Sequence, residues 1–563
     1  MNSRPILRVV LLAAVIGAPG SARATTYYVS PQGDDAAPGT QLLPIRTIQH
    51  GADLARAGDV VLVAPGTYYE RELSLRNGGT SALPVTFQAA GGGKSIIDHG
   101  LRVAAWTPVG GGTYSGQPIF AGRDNPGNNL IVRVVIDGVA YRKAASTALL
   151  APGQFSVTRD TGQIKIAPVG GTSPSGRDVI VLSEPNDYPP GLKVFDNGRG
   201  GAVGNIVIDG FVHRGANTAI WGARFAPAQT PLLVNRNLRI KNCEIGFNWQ
   251  YALRLDNWIG ATMDHCNVYE NGQVNWPRGE NNITWPHSII GFNADYVNIL
   301  NSKVHDNHGE GVGPYLKCSS WVIRGNEVYD NYSVNIYVDT DEGNVIVDRN
   351  LIYLTGKYRA IGPFGSSKAQ FSDGIRIANE YADLEGKDPT PFVHNVTVTN
   401  NIVIGTGDGI MSFPYANANG VIGKSGLMNS LIANNTVIDT TTGPGTFKAG
   451  INVSVGFDVR VMNNISYPQP IRLGAITGGR VTGGNNLVKD QGSLLLFNGA
   501  VSTGDVFGQP RFFGGSGFVA SDYQLTPGTT GINRGRTNLA VKTDYTGTPR
   551  PIGGAYDIGA FEQ

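Results

Sequence analysis

The chain has 563 residues, of which 77 are Gly and 32 Pro, and only 16% are charged, well under the usual quarter. An apolar content of 41% supports a large core and excludes bulk disorder; the glycines keep no three-residue period, which excludes collagen, and three Cys exclude a disulfide scaffold. The 45 basic and 43 acidic residues nearly cancel, which argues against a nucleic-acid partner, because such a partner calls for a basic field.

Residues 1–24 read as an export signal. Arg4 and Arg8 make a basic start, Val9 to Ile16 an apolar run too short to span a bilayer, and Ala22-Arg23-Ala24 a small-x-small cleavage site. Removing these residues takes away three Arg and leaves 42 basic against 43 acidic residues, a net of −1. No other stretch is long and apolar enough for a membrane span. A periplasmic or extracellular protein is expected, as a monomer. So much Gly and Asn also predicts frequent changes of direction, hence short strands rather than long helices.

Residues 101–190 predict a small β-rich insertion. Phe155-Ser156-Val157 and Gln163-Ile164-Lys165-Ile166 alternate around Asp160-Thr161-Gly162, a pattern for antiparallel strands. From about residue 191 to 500 a short pattern recurs: a strand, a polar pair, an apolar residue and a turn. Its column contains Cys243, Cys266, Ser302, Asn326, Asn350, Asn401, Asn435, Asn464 and Asn486, with the shortest steps at 22–24 residues. A period in the low twenties built from β-branched runs predicts stacked coils, each burying its apolar face against its neighbours. The Asn column then becomes a structural ladder. Cys243 and Cys266 are expected to be stacked neighbours, and a disulfide between them in an oxidising compartment would have to meet demanding geometry.

These residues resemble the right-handed parallel β-helix proteins of the pectin/pectate-lyase-like superfamily. Tyr27-Tyr28-Val29-Ser30-Pro31, Pro38-Gly39-Thr40, Ala57-Gly58-Asp59 and Pro65-Gly66-Thr67-Tyr68 resemble the start of such proteins. The resemblance implies an N-terminal cap with first coils over 25–100, the insertion, coils with cleft-forming loops over 191–500, and a C-terminal segment over 501–563 capping the last coil. It is specific for fold and weak for activity, because lyases, hydrolases, epimerases and adhesins share this scaffold.

A second strand in each coil carries the candidate chemistry. Alternation with inward Leu253, Val312, Ile336 and Ile375 places Arg254, Tyr315, Lys317, Asn335, Tyr337, Asp339, Asp341 and Arg376 outward. Long non-repeat loops flank this strand and predict a trough. The favoured expectation is β-elimination on a uronic-acid-containing polysaccharide. Lys317 is then the base, Arg376 binds the sugar carboxylate, Tyr315 or Tyr337 returns a proton, and Asp339, Asp341 and Glu342 hold calcium. Arg254, Asn335, Trp276, Trp285 and His287 are the expected substrate contacts, and His308 is a further acid/base candidate. The alternatives are a glycoside hydrolase using Glu310, Asp339, Asp373 or Asp408, a uronan C5-epimerase, and a non-catalytic surface glycan-binding protein. Glu310, Asp373 and Asp408 each precede Gly at one recurrent turn, which turn chemistry explains by itself. His305 shares a column with Tyr269, Tyr329 and Tyr353, so the repeat accounts for it.

Overall fold

The recurrent polar pair does two jobs at each coil corner. Its first residue turns the chain: Asn242, Asn301, Asn400, Asn434, Asn463 and Asn485 all have φ between 46° and 57°, the left-handed region that Asn tolerates better than most residues. Its second residue ties the corner to the adjoining coil. The Cys266 N–H donates to Ser302 Oγ, Ser302 N–H to Asn326 Oδ1, and the series continues through Asn350, Asn401, Asn435, Asn464 and Asn486 to Asp505. Cys243 and Cys266 occupy the start of this column as free, buried thiols.

The computed structural model describes residues 24–120, 129–145, 149–185, 191–194, 202–222, 234–277, 286–339, 343–357, 372–378, 392–412, 426–440 and 448–563. Between corners the strands pair in parallel with the next coil and build long sheets. Val268, Val304, Val328, Ile352, Val403 and Val437 stack in register along one wall. Leu253, Ile289, Val312, Ile336, Ile375 and Ile410 stack along another. Both stacks point into one continuous core, which is how coils that cannot fold alone share their apolar faces. The fold is a parallel β-helix, as the repeat predicts. The short helix Ile48–Leu54, N-capped by Thr47, adds Ile48 and Ala52 to the N-terminal end of that core. No helix among the described residues is long and apolar enough to cross a membrane.

The insertion is a seven-stranded, mainly antiparallel sheet running from Arg102–Gly110 to Val179–Pro185. Phe155 pairs with Ile166 as the hairpin pattern predicts. The sheet has its own core around Trp106, Tyr141 and Phe155. It docks on the coils through Val135, Ile180 and Leu182 against Trp249 and Val274.

The C-terminal segment departs from expectation. It runs along the side of the coils rather than over the last one, covering Leu351, Ile402, Ile438 and Ile465 with Tyr523, Leu525, Ile558 and Phe561. Its polar contacts are to corner asparagines: Asn434 Nδ2 donates to the Asp557 carbonyl, and Arg550 Nη2 to Asn400 Oδ1. The corners of several coils present unused amide atoms on the outside, and the segment satisfies them.

Candidate active site

The strands Tyr251–Asp264, His287–Leu300, Glu310–Leu316, Ser333–Asp339 and Ser372–Ala378 lie side by side. Alternation drives Ile289, Val312, Ile336 and Ile375 inward and turns Ile290, Gly313, Tyr337 and Arg376 out. A cleft of about 480 Å³ forms over this surface, lined by Tyr251, His287, Ile290, Phe292, Glu310, Tyr315, Ser333, Tyr337, Asp339 and Arg376.

At its centre is a pair of register neighbours, His287 and Glu310. His287 Nε2 is 2.9 Å from Glu310 Oε2, and the two side chains are only 4% and 6% exposed. That approach is within ion-pair reach but off hydrogen-bond angles, so neither ring nitrogen has a hydrogen-bond partner among the described residues. A buried polar group in that state calls for a ligand, a water or a chemical role. The imidazole is flanked by Tyr337, nearly parallel at 5.9 Å, and by Tyr315 at 5.8 Å. Gly313 makes the room: a Cβ there would fall 2.7 Å from His287 Cδ2 and 2.4 Å from the Tyr337 carbonyl oxygen.

Arg376 stands beside Tyr337 in register, its guanidinium 5.6 Å from the ring centre. Its Nε donates to Asp373 Oδ2 at 2.9 Å, and Nη2 makes a second contact to the same oxygen. Burial by itself would lower the proton affinity of Arg376, but the Asp373 carboxylate and then Tyr337 outweigh it and hold the group above its ordinary value. At the cleft edge, Arg254 lies 4.6 Å from the Phe292 ring centre, 5.1 Å from Trp221 and 5.5 Å from Tyr251. Asp256 anchors it at 3.0 Å and takes the Trp221 Nε1 hydrogen at 2.7 Å. Among the described residues, Arg376 is matched by Asp373 and Arg254 by Asp256, and the cleft also holds the carboxylates of Glu310 and Asp339 between aromatic walls.

Residues 31–73 match a family described as a protein of unknown function, DUF1565. The uncharacterized protein YwoF of Bacillus subtilis (strain 168) is 43% identical over 61 residues, 11% of this chain and 13% of that protein. Pectate lyase PEL9 of Emericella nidulans is 37% identical over 76 residues, 13% of this chain and 18% of that protein. The chain thus spans less than a fifth of either curated relative. Among solved structures, that of XylC in complex with xylose superposes with a TM-score of 0.59 at 14% identity, over 95% of this chain and 98% of that one. Pectate lyase Pel9A gives a TM-score of 0.41 at 12% identity, over 97% and 98%. At 14% identity the XylC superposition shows a shared fold, here the parallel β-helix.

On that fold the expected site residues divide. Tyr315, Tyr337, Arg376, Glu310, His287 and Asp339 come together in the cleft, and Arg254 stands behind its aromatic rim. Lys317 does not line it. It sits just past its strand with φ 53°, at the corner position that Asn257 and Asn293 hold in the two preceding coils, and is exposed. Asn335 is not outward. It is buried and closes a second amide ladder, accepting from Asn331 Nδ2 at 3.0 Å. His308 is buried on another side, its Nε2 2.7 Å from Glu270 Oε2. Trp276 packs against the insertion, with the Arg133 guanidinium 4.4 Å from its ring centre, so that ring is occupied by protein. Asp373 and Asp408 serve the turn: Asp373 Oδ1 accepts from the Asp408 N–H, and Asp408 Oδ1 from the Ala449 N–H. Glu310 breaks that pattern by turning its carboxylate to His287. Trp285, Asp341 and Glu342 lie outside the described residues, so Asp339 is the one expected calcium ligand that is placed, and no group of three potential ligands occurs among the described residues. Tyr251, Phe292 and Ser333 were missed. Phe292 was within reach of sequence reasoning, as the aromatic end of an alternating strand.

Proposed function

We propose that this protein is a glycan-cleaving enzyme working in the His287–Glu310 cleft, by hydrolysis at a neutral sugar residue. The observation that carries the reading is the buried His287–Glu310 pair with unsatisfied ring nitrogens, facing a cleft that also holds Asp339. Glu310 is the general acid that protonates the glycosidic oxygen as the C–O bond breaks, and Asp339 draws a proton from the water that attacks the anomeric carbon. His287 sets the orientation of Glu310 and relays its proton. Tyr315, Tyr337 and Phe292 give the sugar apolar faces and hydroxyls to lie against.

Charge favours hydrolysis over elimination. A uronate chain would bring carboxylates to a cleft whose arginines are already neutralised. The second reading, β-elimination or its relative C5-epimerisation, is supported by Asp339 standing next to Asp341 and Glu342 in sequence, a run that suits calcium bridging an acidic sugar. In that reading His287 replaces Lys317 as the base. The test is a panel of neutral and acidic polysaccharides with and without chelator. New reducing ends without ultraviolet-absorbing unsaturated product, insensitive to chelator, support hydrolysis. Unsaturated product lost with chelator supports elimination. No turnover of any glycan, together with measurable glycan binding, would leave the non-catalytic reading.

A further inference from the structure

We infer that the protein has a second glycan site, a basic groove on the neighbouring face that binds an anionic polysaccharide without cleaving it. The long strands Tyr251–Asp264 and His287–Leu300 bend at Asn257 and Asn293, with φ of 55° and 50°, so their second halves leave the cleft and join a different face. There a groove of about 430 Å³ is lined by Arg56, Arg76 and Arg236 and floored by Gly78, Gly79 and Gly204. It continues past Asn205 into a second hollow of about 290 Å³ holding Arg239, Asn237 and Tyr296.

Three features point to an anionic sugar chain. No carboxylate among the described residues lines either hollow. Among the described residues Arg76, Arg236 and Arg239 have no ion-pair or hydrogen-bond partner, while Arg56 donates only to the carbonyls of Asp53, Leu54 and Ala55. Three arginines line the first hollow and a fourth the second, and the guanidinium fork suits carboxylate and sulfate oxygens. Glycine lets the backbones of the floor pack closely: a Cβ on Gly204 would fall 2.4 Å from the Arg236 carbonyl oxygen, and one on Gly78 2.4 Å from that of Gly204. Asn237 Nδ2 donates to Asn205 Oδ1 at 2.8 Å, fixing the joint between the hollows. Tyr296 is 62% exposed and offers a ring for a sugar face to stack on. Two hollows joined at Asn205 suit a ligand that spans both, a chain bearing carboxylates or sulfates.

The choice of a glycan over another polyanion rests on the glycan-cleaving reading of the cleft; the binding itself does not. The test compares the full chain with an Arg76→Ser/Arg236→Ser/Arg239→Ser variant of unchanged melting temperature. Binding to dextran sulfate, polygalacturonate, uncharged dextran and duplex DNA is measured by calorimetry at two salt concentrations. The wild type is expected to bind one or both anionic glycans at least tenfold more tightly than dextran or DNA. Binding should weaken with salt and fall at least tenfold in the variant. The Glu310→Gln enzyme should bind as the wild type does, so a failed cleft assignment does not disturb this readout. Equal binding by wild type and variant, tighter binding of DNA, or binding of dextran as tight as of dextran sulfate would overturn the proposal.

Discussion

Gly313 is the smallest residue on which the cleft depends. The His287 ring lies where a side chain at 313 would begin, so Gly313→Ala should move the imidazole off Glu310. Turnover is expected to fall more than tenfold, with a change in the alkaline limb of the pH–rate profile, where the general acid is lost, which a general loss of folding would not select. Lys317 gives the opposite expectation. It occupies a left-handed corner outside the cleft, so Lys317→Ala should keep kcat/KM within about twofold of the wild type, and Lys317→Gly should be at least as stable, because Gly adopts that backbone freely. A large activity loss in Lys317→Ala, measured on the same glycan, would return the base to the corner. Asn335 teaches the same point about orientation. Strand alternation assigns it outward, but it stands where the strand leaves a corner, and there the amide ladder from Asn307 through Asn331 sets the direction instead.

At the scale of the element, the corner ladder was legible because one position carries both halves of its cause: a residue that tolerates positive φ, then one whose amide reaches the next coil. Removing one rung, as in Asn350→Ala, takes away the acceptor for the Asn326 N–H and the donor to the Ile323 carbonyl. It should cost about 1–3 kcal/mol, read as a lower denaturant midpoint with activity per folded molecule unchanged. The columns Tyr269–His305–Tyr329–Tyr353 and Tyr337–Arg376 were legible for the same reason, since register follows from the period. The Lys317 error arose because the register shifts between Gly291 and Phe292 against Pro314 and Leu316, and an irregularity of one residue ends the alternation. The His287–Glu310 contact follows from the same register, since each stands two residues before the partners Ile289 and Val312, but it was missed because His287 is the first residue of its strand after a long loop. Register also bears on stereochemistry. Val312 and Ile336 are partners, Glu310 stands two residues before the first and Asp339 three after the second. Their Cα atoms are therefore offset by roughly 16 Å along the strands. That span is too long for a nucleophile beside the acid, so the proposed roles call for a water between the carboxylates. Hydrolysis should invert the anomeric configuration, which proton NMR of the first-formed product checks; retention would remove Asp339 from its role.

Across the whole molecule, the joint between insertion and coils holds a second pair of histidines with a different consequence. His99 and His213 are fully buried and stack at 6.0 Å. Burial pushes the His99 imidazole down to about 4 and that of His213 down to about 3. Both are neutral in the folded protein, while the unfolded chain takes up their protons near the ordinary value of about 6.5. The unfolded state therefore binds more protons between about pH 6.5 and 4, and stability falls as pH falls through that window. The melting temperature should drop over this range, and His213→Phe should flatten the drop; an unchanged slope would contradict it. The proposed activity rests on one cleft, the one that holds His287 and Glu310. Its most direct test is the rate of glycan cleavage by Glu310→Gln beside wild type, on whichever polysaccharide the wild type cleaves. A loss of at least about a hundredfold is expected, within the usual reach of general acid catalysis, with an unchanged melting temperature. Full activity in Glu310→Gln would contradict it.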